Sequence, residues 1–370
     1  MTTISARIHL AQARRIVVKL GTHVVTHDGV ELALGRVYAL VEDLAGLRDQ
    51  GKDLIVVSSG AVGMGMRTLG LAERPQSLGL RQACAAVGQG HLIGMYAQAF
   101  AELGVTVAQV LLTQEDLADR DRALCLRTTL LRLLELGVVP ILNENDSVSV
   151  RELIEHRRIT DGRAPSEVVG TGFGDNDGLS ARVAVALDAD LLVLLTDVEG
   201  LYTAPPQEDP TATIIGELDA IDDALLARVE GGGGSRGGTG GMASKLEAAR
   251  LASEAGTAVL IAGGGAPQVL RRALAGELLG TLVAPATRRR ERWRHIAFSA
   301  PRRGALVVND GALVALAERK ASLLPIGVVA VEGEFARGDV VEIRDGSGRV
   351  HGRGLANYDA PACRALAGHH

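Results

Sequence analysis

The segment Arg15 to Gly60, RIVVKLGTHVVTHDGVELALGRVYALVEDLAGLRDQGKDLIVVSSG, carries the pattern on which the fold turns. RIVVKL at Arg15 to Leu20 and LIVVS at Leu54 to Ser58 are short β-branched runs of the kind that form buried strands. Between them, Leu32 to Leu47 repeats apolar residues at three- and four-residue spacing, the period of a helix with one face on a core. Strand, helix, strand in that order is what a parallel sheet with crossover helices requires. The same alternation continues along the chain. Val105 to Leu111, Val138 to Leu142 (VVPIL), Leu191 to Thr196 (LLVLLT) and Thr257 to Ala262 read as further strands. Ser77 to Leu103, Arg122 to Leu136, Leu179 to Leu187 and Ser244 to Ala255 read as helices. The pattern predicts an α/β fold, a mainly parallel sheet between two helical layers.

Composition sets the outer bounds. A length of 370 residues suits one large and one small domain. Hydrophobic residues make up 47% and aromatic residues only 2%, so the core must be built from Ala, Val, Leu and Ile. A net charge of −5 provides no general attraction to nucleic acid, and RNA is not expected as a partner. Cys84, Cys125 and Cys363 lack disulfide or metal spacing, which fits a reducing compartment and no protein-bound metal. No run of about 18 uncharged apolar residues appears, and the N-terminus has no signal-peptide pattern. A cytoplasmic protein without a membrane span is predicted.

In open α/β sheets ligands sit beyond the carboxyl ends of the strands, and those ends are here alike in character. The first strand leads into Lys19-Leu20-Gly21-Thr22 and the second into Ser58-Ser59-Gly60-Ala61, before a turn expected at Gly63 and Gly65. The fourth runs into Asn143-Glu144-Asn145-Asp146, and the fifth ends in Thr196-Asp197. A further cluster, Gly174-Asp175-Asn176-Asp177, precedes the helix expected from Leu179. Singly, Asp and Asn cap helices and Gly makes turns; gathered at one sheet edge, they indicate a site. Between Gly231 and Lys245 the chain reads GGGGSRGGTGGMASK, a side-chain-poor loop ending at a lysine that opens a helix. Exposed N–H groups, a helix N-terminus and a mobile cation suit a polyphosphate. It is not a Walker loop, because Ala243 and Ser244 separate the last glycine from Lys245. Lys19 and Lys245 together suit phosphoryl transfer without a covalent intermediate, each offsetting charge on the transferring group. Parts for hydrolase or protein-bound metal chemistry are missing.

The ordered segments VVKLGT, VVSSGAVGMG, QACAAVGQG, PILNENDSV, FGDNDGLSA, LLTDVEGLYT and GTGGMASKLEAA span residues 15 to about 265 and resemble the amino acid kinase family. PILNEND followed by GDND-x-LSA resembles the branch that phosphorylates the γ-carboxylate of L-glutamate, the first step toward proline, with proline as inhibitor. The resemblance implies ATP as phosphoryl donor, with magnesium carried by the nucleotide. It also implies a homo-oligomer, dimer or tetramer, whose product passes to a glutamyl phosphate reductase. Carried over by position, Lys19, Lys245 and Asp177 resemble the catalytic set, with Asp177 organising the two lysines. Ser59, Asp146 and Asn176 resemble the glutamate-binding residues. Lys19, Thr196, Asp197 and the run Thr239, Gly240, Gly241, Met242, Ala243, Ser244, Lys245 resemble the ATP-binding set. Ser147 and Asp175 are read as supporting residues.

The character of the chain changes near Ala300, after the basic run Arg288 to Arg294. The domains are expected at residues 1–285 (kinase), 286–299 (linker) and 300–370. The last of these resembles a PUA domain, a small mostly-β fold, and reads as shortened at its C-terminal end. Four features depart from the family pattern: the longer segment at residues 151–172, Cys125 in place of an asparagine, His23 in place of a small hydroxyl residue, and Pro205 in place of an aspartate. They leave open a related kinase acting on another small carboxylate, while a non-catalytic RNA-binding or regulatory homologue is the alternative from another class.

Overall fold

The computed structural model describes residues 6–73, 75, 77–147, 176–231, 241–286, 304–317, 323–337 and 339–369. The described residues fall into two compact units, the larger over residues 6–286 and the smaller over residues 304–369. The expectations for Thr239, Gly240, Asp175, residues 151–172 and the basic run at 288–294 fall outside the described residues.

In the larger unit a 3-10 turn, Ala6–Gln12, precedes β1 (Arg15–Leu20) and the short α1 (Thr22–Val25). The hairpin β2 (Thr26–His27) and β3 (Glu31–Leu32) follows, then α2 (Leu34–Asp49), β4 (Asp53–Ser58), α3 (Ala61–Thr68) and α4 (Leu78–Ala101). Next come β5 (Val107–Leu112), α5 (Gln114–Ala118), α6 (Arg120–Glu135), β6 (Val139–Glu144), α7 (Asn176–Ala186) and β7 (Leu191–Thr196). The unit closes with β8 (Glu217–Leu218), α8 (Asp223–Gly231), α9 (Met242–Glu254), β9 (Ala258–Gly263), α10 (Val269–Leu274) and β10 (Thr281–Val283).

Eight strands form one sheet in the order β5-β6-β4-β1-β7-β9-β10-β8. Every pairing in it is parallel except β9 with β10. Both faces are covered, which explains why the strands read as continuous apolar runs rather than alternating ones. Alternation decides which face each residue serves. Ile16, Val18 and Leu20 pack with α2, α4 and α10, among Leu40, Leu44, Leu92, Phe100 and Leu270. Val17, Ile55, Val57, Leu192 and Leu194 pack on the opposite face against α7 and α9, among Leu179, Val183, Leu246 and Ala249. Each fully buried Val or Leu contributes about 1.5–3 kcal/mol, so these two layers dominate the stability of the unit. A buried carboxylate secures α10 to α2: Asp43 accepts from the Leu270 and Arg271 N–H groups and pairs with the Arg271 guanidinium at 2.8 Å.

The expected turn at Gly63 and Gly65 is instead the helix α3, and its glycines serve close packing. A methyl group at Gly65 would collide with the Cys84 carbonyl oxygen, and one at Gly88 with that of Ala61, so α3 and α4 approach backbone to backbone. The helix expected from Leu179 already includes Asn176 and Asp177 in its first turn. Lys245 is likewise the fourth residue of α9 rather than its opening one. Other strand and helix edges lie within a few residues of expectation, the usual scatter at element ends.

The smaller unit has a four-stranded sheet of β11 (Gly304–Val308), β12 (Val328–Gly333), β13 (Val340–Arg344) and β14 (Val350–Leu355), ordered β12-β11-β13-β14. Helices α11 (Asp310–Ala317) and α12 (Ala360–Leu366) accompany it. Its own core contains Leu306, Val308, Phe335, Val341 and Ala360.

Candidate active site

The strands that end in polar residues, β6, β4, β1 and β7, are neighbours in the sheet, so their carboxyl ends form one continuous edge. Strand parity then distributes the side chains. Lys19 and Thr196 share the parity of Val17 and Leu194, which places them on the face covered by α7 and α9. There Lys19 Nζ meets Asp177 Oδ1 at 2.7 Å, and Lys245 Nζ meets Asp177 Oδ2 at 3.2 Å. The Ser244 hydroxyl also reaches Asp177 Oδ2, at 3.2 Å, and the Gly241 carbonyl at 3.0 Å. Lys19, Asp177 and Lys245 are 4%, 0% and 6% exposed, so the triad is buried and its charges must compensate one another. Burial by itself pushes the Asp177 carboxyl up; the charges and hydrogen bonds of Lys19 and Lys245 outweigh it and hold the group below the usual carboxylate range.

Next to Asp177, Asn176 turns toward the other strands. Its Nδ2 donates to the Ser58 carbonyl at 3.1 Å, to Ser59 Oγ at 2.9 Å and to Asn143 Oδ1 at 2.8 Å. Ser59 follows β4, where Gly60 at φ 109 provides the left-handed turn into α3 that a side chain would strain. Asn143 and Ser58 share the parity of Ile141 and Val56 and so meet α4: Asn143 Nδ2 donates to Gln89 Oε1 at 2.7 Å, and the Ser58 hydroxyl lies 2.8 Å from the Tyr96 hydroxyl. Burial drives the Tyr96 phenol upward, so it stays a neutral hydrogen-bonding group.

The remaining expected residues occupy the outer part of the edge. Thr196 is buried and donates to Asp197 Oδ1 at 2.9 Å, while Asp197 is exposed. Burial raises the Asp197 carboxyl, but the Thr196 hydroxyl, a backbone N–H and the charges of His23 and Lys245 bring it below the usual range. Gly241 lies immediately before α9, Met242 packs against the core beneath it, and Ala243 is half-buried. Asp146 is half-buried just beyond β6, and Ser147 bonds its neighbour Asn145 at 2.7 Å. Thus Lys19, Asp177 and Lys245 form one cluster, Ser59 and Asn176 a second beside it, and Thr196 and Asp197 flank the first. Sequence reading did not assign roles to Asn143, Gln89 or Tyr96. The first two lie in PILNEND and QACAAVGQG, but nothing local showed that they bond each other.

Comparison with known proteins gives the family. The model of the amino acid kinase family matches residues 14–263, and that of the PUA domain residues 304–370. Over 371 aligned residues, the chain is 45% identical to a protein named glutamate 5-kinase from Moorella thermoacetica, covering all of this chain and 93% of the relative. A glutamate 5-kinase from Myxococcus xanthus matches with the same identity and coverage. Another from Gloeobacter violaceus is 46% identical over 95% of this chain and 91% of its own length. With its mainly parallel sheet flanked by helices, its small C-terminal PUA domain and full-length relatives that are kinases, this chain is a kinase and belongs to the amino acid kinase family.

Proposed function

We propose that this kinase transfers the γ-phosphoryl group of ATP to the γ-carboxylate of L-glutamate, giving γ-glutamyl 5-phosphate and ADP. The observation that carries the reading is the buried Asp177 carboxylate holding Lys19 of β1 on one oxygen and Lys245 of α9 on the other. Donor and acceptor are both anionic, so the transferring phosphoryl group gathers negative charge between them. Two ammonium groups already fixed in a site screened from water offset that charge without reorganising at the moment of transfer.

In this reading Lys19, Thr196, Asp197 and Thr239 to Lys245 hold the nucleotide, and Ser59, Asp146 and Asn176 hold glutamate. Asp177 orients both lysines. Two ammonium groups against one carboxylate leave the cluster net positive, which disfavours a bare metal ion and suits a phosphate chain, so Mg²⁺ belongs to the bound nucleotide, where it would offset phosphate charge. The reaction serves proline formation in the cytoplasm, with L-proline as inhibitor and a homo-oligomer as the working form. An acyl phosphate hydrolyses readily, which favours prompt use by a glutamyl phosphate reductase. The glutamate 5-kinase relatives support the acceptor, and the family resemblance alone supports the finer points.

Purified protein with ATP, Mg²⁺, L-glutamate and hydroxylamine is expected to yield glutamyl hydroxamate, at a rate lowered by L-proline. Hydroxamate formed from aspartate or glutarate but not from glutamate would move the assignment to another acceptor. No hydroxamate from any of the three would reject carboxylate phosphorylation.

A further inference from the structure

Gln89 lies on α4, half-buried, on none of the segments that supply the proposed substrate contacts. Yet it stands at the head of a chain of carboxamides leading into the acceptor side. Gln89 Oε1 accepts from Asn143 Nδ2 at 2.7 Å. That bond and a backbone N–H together set which way the Asn143 amide faces, its nitrogen turned to α4 and its oxygen to the site. Asn143 Oδ1 accepts from the Glu144 N–H at 2.9 Å and from Asn176 Nδ2 at 2.8 Å. Asn176 Nδ2, with two hydrogens, faces three acceptors, two of which share one hydrogen. Asn176 Oδ1, in contrast, is buried in a residue 8% exposed and accepts no hydrogen bond among the described residues. A buried acceptor left unmatched is unfavourable, and in a substrate site a donor on the ligand or a water matches it.

We propose that Gln89 is a positioning residue for the acceptor substrate: through Asn143 it orients the Asn176 carboxamide so that Oδ1 is presented to a hydrogen-bond donor on that substrate. The inference rests on the glutamate reading above. Both carboxylates of glutamate are acceptors at neutral pH, and its α-ammonium is its one donor group. The ammonium is therefore the partner of Asn176 Oδ1. Reversing the Asn143 amide would set its NH₂ against the Glu144 N–H and against the NH₂ of Asn176, which the Ser58 carbonyl also holds, so Asn176 would lose one of the bonds that fix it.

The test separates polarity from packing. Gln89→Glu keeps an acceptor facing Asn143 and is expected to hold the KM for glutamate within about threefold of the parent. Gln89→Lys presents only donors, and Gln89→Leu presents neither. Both are expected to raise the glutamate KM roughly ten- to a hundredfold, the range for a lost hydrogen bond to a charged group, with kcat and the KM for ATP little changed. For glutarate, which lacks the ammonium, the Leu and Lys variants and the parent are expected to agree within about threefold. The proposal is overturned if the Glu variant is as impaired as the Leu variant, or if kcat falls while the glutamate KM holds. It is also overturned if glutarate is affected as strongly as glutamate. Should the Leu variant fail to fold, the comparison of Glu with Lys decides by itself. A parent protein that phosphorylates neither acid refutes the glutamate reading, whereas an active parent with indifferent Gln89 variants refutes only the relay.

Discussion

Asp177 shows how one buried residue can serve stability and the proposed chemistry together. Its carboxyl is held below its ordinary range by Lys19 and Lys245 against the opposing effect of burial. A carboxylate whose folded pKa lies below its unfolded one adds stability that is complete above the unfolded value, about 3.9 for Asp, and is lost as pH falls through the folded value. Asp177 therefore remains ionised from neutrality through pH 5. Asp177→Asn removes the carboxylate that the two buried ammonium groups share, and breaking a buried pair in this way costs about 3–5 kcal/mol. Urea denaturation of the variant and the parent between pH 3 and 7 is expected to show a gap that is constant above pH 5 and narrows only below about pH 4. A gap that closes between pH 7 and 5 would contradict this account. For the lysines, Lys19→Ala and Lys245→Ala are each expected to lower kcat roughly a hundred- to a thousandfold, the scale of one removed charge-stabilising donor. Single-turnover measurement at saturating ATP and glutamate checks it, and unchanged rates would exclude the two-lysine mechanism.

Helix α4 carries the amide and hydroxyl contacts that reach the acceptor side, and its packing against α3 depends on residues with no side chain. Gly65 and Gly88 lie where the two backbones touch, while Gly90, one position beyond Gln89, faces open space. Gly88→Ala is expected to destabilise the protein by at least about 2 kcal/mol through overpacking. Gly90→Ala is expected to be neutral or to stabilise by up to about 1 kcal/mol, since Ala is the better helix former and nothing obstructs its methyl group. Chemical denaturation of the two variants makes the comparison; equal effects would deny the close helix contact. From the sequence, Gly63 and Gly65 read as a turn, because glycine's usual local meaning is backbone freedom. Their service as contact points depends on a partner helix further along the chain, which local pattern does not reveal.

At the scale of the whole molecule, each unit has its own core. A ligand that binds only the folded protein stabilises it by mass action, about 2.7 kcal/mol at a hundred times its dissociation constant. A non-hydrolysable ATP analogue with Mg²⁺ and L-glutamate together are accordingly expected to raise the thermal midpoint of the parent protein, with a smaller rise in the Lys245→Ala variant. Equal rises would show that Lys245 contributes nothing to ligand binding. No helix among the described residues is long and apolar enough to cross a membrane.

By itself the sequence determined the α/β alternation, the covered sheet and the gathering of polar residues at strand ends, because periods of 2 and 3.6 residues are local properties of the chain. Motif order also sufficed to pick out Lys19, Asp177 and Lys245 as candidates. Only the tertiary structure decided that Asp177 Oδ1 meets one lysine and Oδ2 the other, since that depends on strand order and on which face each side chain takes. The same holds for Gln89. Its amide became informative when α4 packed across β6 and brought it to Asn143, a hydrogen bond whose partners are far apart in the chain and whose direction no local pattern encodes.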